Sequence, residues 1–319
     1  PGIRIGIFMK KSKRKTKIIG SLIAVVIVVL AGLLGINNEQ ISKLANEIGL
    51  GNLINSESTE VANQNNITLV NGELQVYYID VGQADSILII NKEDAMLIDA
   101  GNNEDGEDVV NFIKDKGITK LDYVVGTHPH EDHIGGLDDV INSDIEIENV
   151  LMPKIETTTK TFGDVVDAIS NKGLTVKAPS KGDTFTLGDS NLEVMTDSIL
   201  DEDNLNLSSI TLRLQYGNNS FLFMGDSEEE NEKTITWPKT DVLKVGHHGS
   251  STSSSEEFLN EVKPSISIIM AGKGNSYGLP KEEIVERLEN VGSKVYRTDE
   301  NGTIEVTSDG NNINVITKK

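Results

Sequence analysis

Three of the chain's five histidines fall within six positions, in Thr127-His128-Pro129-His130-Glu131-Asp132-His133, and the other two, His247 and His248, are adjacent. Random scatter of five imidazoles over 319 residues rarely does this. His128 and His130 alternate in a segment that reads as extended, so both rings can face one way. Pro129 between them opposes a helix. Asp132 and His133 lead into Ile134-Gly135-Gly136, which reads as a place where the backbone reverses. A solvated polar loop is the bland alternative, but it gives no reason for this spacing at the end of the apolar run Leu121–Gly126. Neutral imidazole suits zinc, iron or manganese, and a carboxylate adds charge and hardness. Cysteine is absent. Disulfides, thiolate nucleophiles and zinc-thiolate sites are therefore excluded, and a transition-metal site must use His, Asp and Glu.

Two remote segments add to the cluster. Phe221-Leu222-Phe223-Met224-Gly225-Asp226 is an apolar strand that delivers a carboxylate to a sheet edge, and Asp241 through Ser250 delivers His247 and His248 in the same way. Either alone reads as ordinary turn chemistry. With the first cluster they make three strand ends able to converge.

From about Glu73 onward strands and helices alternate without a break, as in one domain. Leu74–Ile79, Ser86–Ile90, Ala95–Asp99 and Leu121–Gly126 read as strands, and Glu107–Lys116 carries Val109, Val110 and Ile113 at helical spacing. Thr161–Asn171 and Lys281–Asn290 read as further helices. Later strands are expected at Glu193–Thr196, Ile210–Tyr216, Ser220–Met224, Val242–Val245, Ile266–Ala271, Lys294–Arg297, Thr303–Thr307 and Ile313–Ile316. No internal repeat is readable. Two packed sheets with helices outside is the expected arrangement.

Charge separates the amino terminus from the rest. Residues 1–36 hold seven Lys or Arg and no acid, which leaves 22 basic against 50 acidic residues, a net of −28, on the remainder. Such a surface repels a phosphate backbone unless metals or a local basic strip intervene. Taking Met9 as the start, residues 1–17 form a basic terminus and Ile18–Ile36 an uncharged run of 19 residues, about 28 Å as a helix. The positive-inside rule puts the basic terminus in the cytoplasm and everything after Asn37 outside it. A cleaved signal peptide, with Val29-Leu30-Ala31 as the cleavage triplet, is the rival reading and would make the protein secreted. Residues 37–71 read as a linker and 72–319 as the catalytic domain.

The segments Tyr78-Ile79-Asp80-Val81-Gly82-Gln83-Ala84-Asp85-Ser86, Leu97-Ile98-Asp99-Ala100-Gly101, Thr127 through Gly136, Met224-Gly225-Asp226 and His247-His248-Gly249-Ser250 resemble the metallo-β-lactamase-fold hydrolases. The specific similarity is to the extracytoplasmic hydrolase domain of the ComEC competence family. Arg297-Thr298-Asp299 with Asn301-Gly302-Thr303-Ile304 matches that family's carboxy-terminal segment. The resemblance covers residues 72–319. It implies an α+β fold, a four-layer αβ/βα sandwich with its metals at one edge of the paired sheets. One hydrophobic span makes no DNA-conducting pore, so transport is not carried over.

The resemblance further implies two divalent metal ions, zinc before manganese. His128 and His130 would hold the first, Asp132 and His133 the second, with Asp226 bridging. His247 is expected as the last ligand of the second metal and His248 as proton donor; the reverse order stays open. Asp85 and Asp99 would orient imidazoles, with Asp132 and His248 catalytic. The wider superfamily has a further histidine between the first cluster and the bridging aspartate, and this chain has none from Ile134 to Gly246. Asn206, Ser208 or Ser209 would line that gap. Leu279 stands where the family pattern leads one to expect histidine, and Asn275 and Tyr277 are expected to contact substrate. The reading is a metal-dependent hydrolase, a phosphodiesterase or nuclease on DNA. The alternatives are a phosphodiesterase on choline-phosphate or other envelope substrates, and an inactive binding module. The membrane is the expected partner through the amino-terminal helix, and no protein partner is evident.

Overall fold

The computed structural model describes residues 73–318. The basic terminus, the run Ile18–Ile36 and the linker to residue 71 lie outside the described residues. Among those described, no helix is long and apolar enough to cross a membrane.

The first half runs β1 (Leu74–Tyr78), β2 (Ser86–Asn91), β3 (Asp94–Ala100), α1 (Gly106–Asp115), β4 (Lys120–Val125), α2 (Glu131–Ile134), α3 (Leu137–Asn142), β5 (Glu146–Leu151), α4 (Lys160–Asn171) and β6 (Val176–Lys177). The second half begins with β7 (Thr184–Leu187), β8 (Ser190–Val194), β9 (Leu212–Tyr216), β10 (Asn219–Phe223), α5 (Glu229–Glu232) and β11 (Val242–Lys244). It continues through α6 (Glu256–Val262), β12 (Ile266–Ile269), α7 (Glu282–Asn290), β13 (Lys294–Arg297), α8 (Thr298–Asn301), β14 (Ile304–Ser308) and β15 (Ile313–Thr317). One sheet has eight strands in the order β15-β14-β1-β2-β3-β4-β5-β6, and the other seven in the order β13-β12-β11-β10-β9-β8-β7. In each, an antiparallel region gives way to parallel strands: β3 to β6 in the first sheet and β10 to β13 in the second. The sheets thus share a design that no sequence repeat announces.

Period-two alternation explains the packing. Met96 and Ile98 of β3 enter the core between the sheets, while Ala95 and Leu97 pack beneath α1, α3 and α4. Phe221 and Phe223 of β10 face the same inter-sheet core, and Leu222 and Met224 face α6 and α7. Strands covered on both faces read as unbroken apolar runs. Each fully buried large side chain contributes about 1.5–3 kcal/mol. The result is the expected helix–sheet–sheet–helix layering.

Local chemistry sets the helix ends. Thr159 caps α4 by accepting from the Phe162 N–H, and Ser255 caps α6 by accepting from Phe258. The short α2, α3, α5 and α8, together with α6 and strands β5 to β7, are elements the periodicity did not mark. Gly135 and Gly136 form the turn between α2 and α3. A Cβ on Gly135 would lie 2.3 Å from the Asn102 carbonyl carbon, and one on Gly136 2.4 Å from the Ala100 oxygen. They are glycines so that the segment carrying His133 can press onto the loop after β3.

Candidate metal centre

Parallel strands present their carboxyl ends at one edge, where α/β sheets gather ligands. The end of β4 carries Thr127 to His133, the end of β10 Asp226, and the end of β11 His247 and His248. The structure brings all five histidines together there. Asp132, His133, Asp226 and His248 each place one ligand atom within 4.8 Å of the others.

Asp226 is the focus. Its Oδ1 lies 3.2 Å from His133 Nε2, and its Oδ2 lies 3.6 Å from His248 Nε2, 3.7 Å from His247 Nε2 and 4.0 Å from His128 Nε2. His248 Nε2 also lies 3.2 Å from Asp132 Oδ2. The tautomers follow from what sits behind the rings. His248 Nδ1 is 2.9 Å from the Met270 carbonyl, which only accepts, so Nδ1 carries the proton and donates it. His133 Nδ1 is 2.8 Å from Asp99 Oδ2 and donates likewise. In both neutral rings the Nε2 lone pair therefore faces carboxylate oxygens. Indeed His133 Nε2, His248 Nε2 and Asp226 Oδ1 are buried without a hydrogen-bond partner. Acceptors aimed at acceptors in a buried pocket need a positive charge between them, a bound cation or a proton on the ring. The donor set of two imidazoles and two carboxylates fits a divalent metal.

Electrostatics agrees. Burial pulls His133 down, but Asp226, Asp99 and Asp132 outweigh it and hold the imidazole well above its ordinary value. Burial likewise opposes charge on His248, yet Asp226 and Asp85 push it up to about 10. Burial raises Asp226, while His133 and His248 bring it well below the usual carboxylate range. Without metal, protons supply the positive charge that the carboxylates demand. His128 differs: burial and the neighbouring His133 hold it well below its ordinary value, and burial lowers His130 too. Their Nε2 and Nδ1 atoms approach to 3.0 Å, two neutral donors suited to a second cation beside Asp226.

Asp99 is a built support. The register shift between Ser86 and Ile87 puts a bulge at this point in β3, and Asp99 takes φ +58°. Its oxygens accept from the Thr127 N–H at 2.8 Å and the Thr127 hydroxyl at 2.7 Å as well as from His133. Ser209 Oγ accepts from the Asp226 N–H, so it supports the ligand's backbone. Ser208 Oγ donates to the Leu205 carbonyl. Asn206 lines the cavity and donates to Glu228. Asn275 spends its whole amide on its own loop, donating to Gly272 and Leu279 and accepting from Tyr277 and Leu279. Tyr277, 69% exposed, lines the cavity mouth.

Sequence reasoning missed Glu228, Lys244, Thr127 and Thr252. Glu228 opens a run of three acids that reads as a solvated face, yet it is buried and lies 3.1 Å from His247 Nδ1. Thr252 Oγ1 is 2.9 Å from the same nitrogen and donates to Glu228. His247 and His248 both have positive φ, +47° and +52°, and their rings meet edge to face with centroids 6.3 Å apart. His248 enters the four-residue cluster, while the ring of His247, 24% exposed, borders a cavity of about 330 Å³. A groove of about 780 Å³ adjoins it through Gln83, Glu131, Asp132 and Tyr277, and carries Asp80, Glu104, Asp105 and Asp108.

The sequence profile described as the metallo-beta-lactamase superfamily matches residues 79–273. ComE operon protein 3 of Bacillus subtilis is 32% identical over 258 residues, which cover 74% of this chain and 33% of that protein. Recombination protein 2 of Haemophilus influenzae is 29% identical over 242 residues, covering 73% of this chain and 28% of that protein. The chain thus spans a third or less of the length of these two relatives. Among solved structures, the metallo-beta-lactamase fold protein YhfI of Bacillus subtilis is 12% identical with a TM-score of 0.47, covering 71% of this chain and 96% of that one.

Proposed function

The chain belongs to the metallo-β-lactamase superfamily, and on that premise we propose that it is a metal-dependent phosphodiesterase acting outside the cytoplasmic membrane. The observation that supports this is the set of buried imidazole and carboxylate acceptors meeting at Asp226. Asp132, His133, Asp226 and His248 would hold one divalent cation, and His128, His130 and Asp226 a second. Zinc fits the imidazole-rich set, with manganese the alternative. Cations held there supply Lewis acidity toward a phosphoryl oxygen and a water. This assignment inverts the expectation for the adjacent histidines. His248 is fixed on Met270 with Nε2 toward Asp132 and Asp226, whereas His247 borders the cavity with Glu228 and Thr252 behind it. His247 is therefore the proposed donor of a proton to the leaving oxygen.

DNA is the substrate that the sequence resemblance to the competence family implies. The acidic groove favours a second reading, a phosphodiester carrying a cationic group such as choline, since its carboxylates repel a nucleic-acid backbone. Parallel assays on single-stranded DNA, bis(p-nitrophenyl) phosphate and glycerophosphocholine separate the two. Replacement Asp226→Asn is expected to abolish zinc binding and at least about a thousandfold of the turnover, given the share of rate such sites carry. Full turnover in that variant, or in chelator-treated protein, would remove the proposal.

A further inference from the structure

Strand β11 breaks its own pattern. Val242 faces the inter-sheet core and Leu243 faces the helices, so period two sends residue 244 back between the sheets. The residue there is lysine, fully buried. Its Nζ lies 2.5 Å from Asp85 Oδ2 and 2.9 Å from the Val245 carbonyl. A lysine takes such a place only with an ionised partner.

Asp85 comes from the other half, in the loop before β2. Its N–H donates to the Asp132 carbonyl and its own carbonyl accepts from Gly101. The carboxylate is buried behind the two imidazoles, with Oδ1 3.3 Å from His248 Nδ1 and Oδ2 4.0 Å from His133 Nδ1. Neither ring depends on Asp85 for its Nδ1 hydrogen bond, because Met270 and Asp99 already receive those protons. Asp85 instead joins a ligand of the first half to a ligand of the second, with Lys244 anchoring it.

We infer that Lys244 is a positioning residue of the metal centre: its ion pair with Asp85 crosses between the sheets and holds His133 and His248 in register around one cation. The inference rests on the metal-centre reading above. With Lys244 neutral, Asp85 swings onto the Nδ1 edges and competes with Met270 and Asp99. With Asp85 neutral, an unpaired ammonium stands behind rings that must hold a metal. Removing both charges leaves each imidazole on its own acceptor.

Cobalt(II) binding to the full-length chain tests this, read as affinity by calorimetry and as the visible d–d spectrum, which reports ligand geometry apart from stability. Lys244→Met and Asp85→Asn should each weaken cobalt binding about tenfold or more, as loss of outer supports does, and alter the spectrum. The double variant should regain most of the affinity and the wild-type spectrum. Wild-type affinity and spectrum in Lys244→Met, or losses that multiply in the double variant, overturn the inference. Should Lys244→Met not fold, Lys244→Gln and the double variant carry the same comparison. A wild-type chain that binds no cobalt removes the metal-centre reading itself, and this inference with it.

Discussion

Asp99 adopts a left-handed conformation that costs a non-glycine residue about 1–3 kcal/mol. It is sustained because one carboxylate then serves the Thr127 backbone, the Thr127 hydroxyl and His133 together. The same economy of position gives the metal-free protein a distinctive pH response. A His248 imidazole raised to about 10 binds its proton more tightly folded than unfolded. That stabilisation is complete below the unfolded value of about 6.5 and is lost as pH rises through about 10. Chelator-treated protein should therefore melt at progressively lower temperature across that interval, and saturating zinc should flatten the decline. Scanning calorimetry at several pH values checks it; a metal-free melting temperature that climbs with pH across the interval contradicts the geometry.

At the scale of elements, the His133 segment is placed by contact between α2 and the loop after β3. Gly136→Ala drives a Cβ to 2.4 Å from the Ala100 oxygen and 2.7 Å from the Gly106 Cα. A loss of about 1–3 kcal/mol in denaturant unfolding is expected, accompanied by weaker metal binding. Gly163, inside α4, has open space where its Cβ would go. Gly163→Ala should stabilise by about 0.4–1 kcal/mol and leave metal binding unchanged. Equal effects of the two substitutions would show that helix propensity, not close approach, governs both. The unbroken apolar runs of β3 and β10 and the helical period of α7 were legible in the sequence. Helices of four to six residues such as α2, α3 and α5 were not, because they show barely one turn of any period. Strand β5, Glu-Ile-Glu-Asn-Val-Leu, mixes charge with apolar residues at the exposed end of its sheet and hides in the same way.

For the whole molecule, the absence of cysteine makes membrane orientation directly measurable. Ser180→Cys introduces one thiol at an exposed position of the catalytic domain. In intact cells a membrane-impermeant maleimide should label it without lysis. Labelling only after lysis contradicts the proposed placement outside the membrane, which rests on the basic flank before Ile18–Ile36. The centre itself depends on both halves: four candidate ligands follow β4, and Asp226, His247 and His248 follow β10 and β11.

The sequence by itself determined the donor chemistry. With no cysteine and five clustered histidines, only imidazole and carboxylate could make the centre, and the apolar runs before them marked the strand ends that carry it. Tertiary structure decided the rest. It put His248, held by the Met270 carbonyl, into the four-residue cluster with Asp132, His133 and Asp226. It buried Glu228 within a run of acids against His247, and Lys244 within an apolar strand against Asp85 from the other half of the chain. Side-chain type and spacing are local properties that a sequence displays. The facing of one buried charge on another across two sheets is fixed only when the sheets pack. The His128–His133 segment announces a metal, but Asp226 and the groups behind His248 give it a defined place.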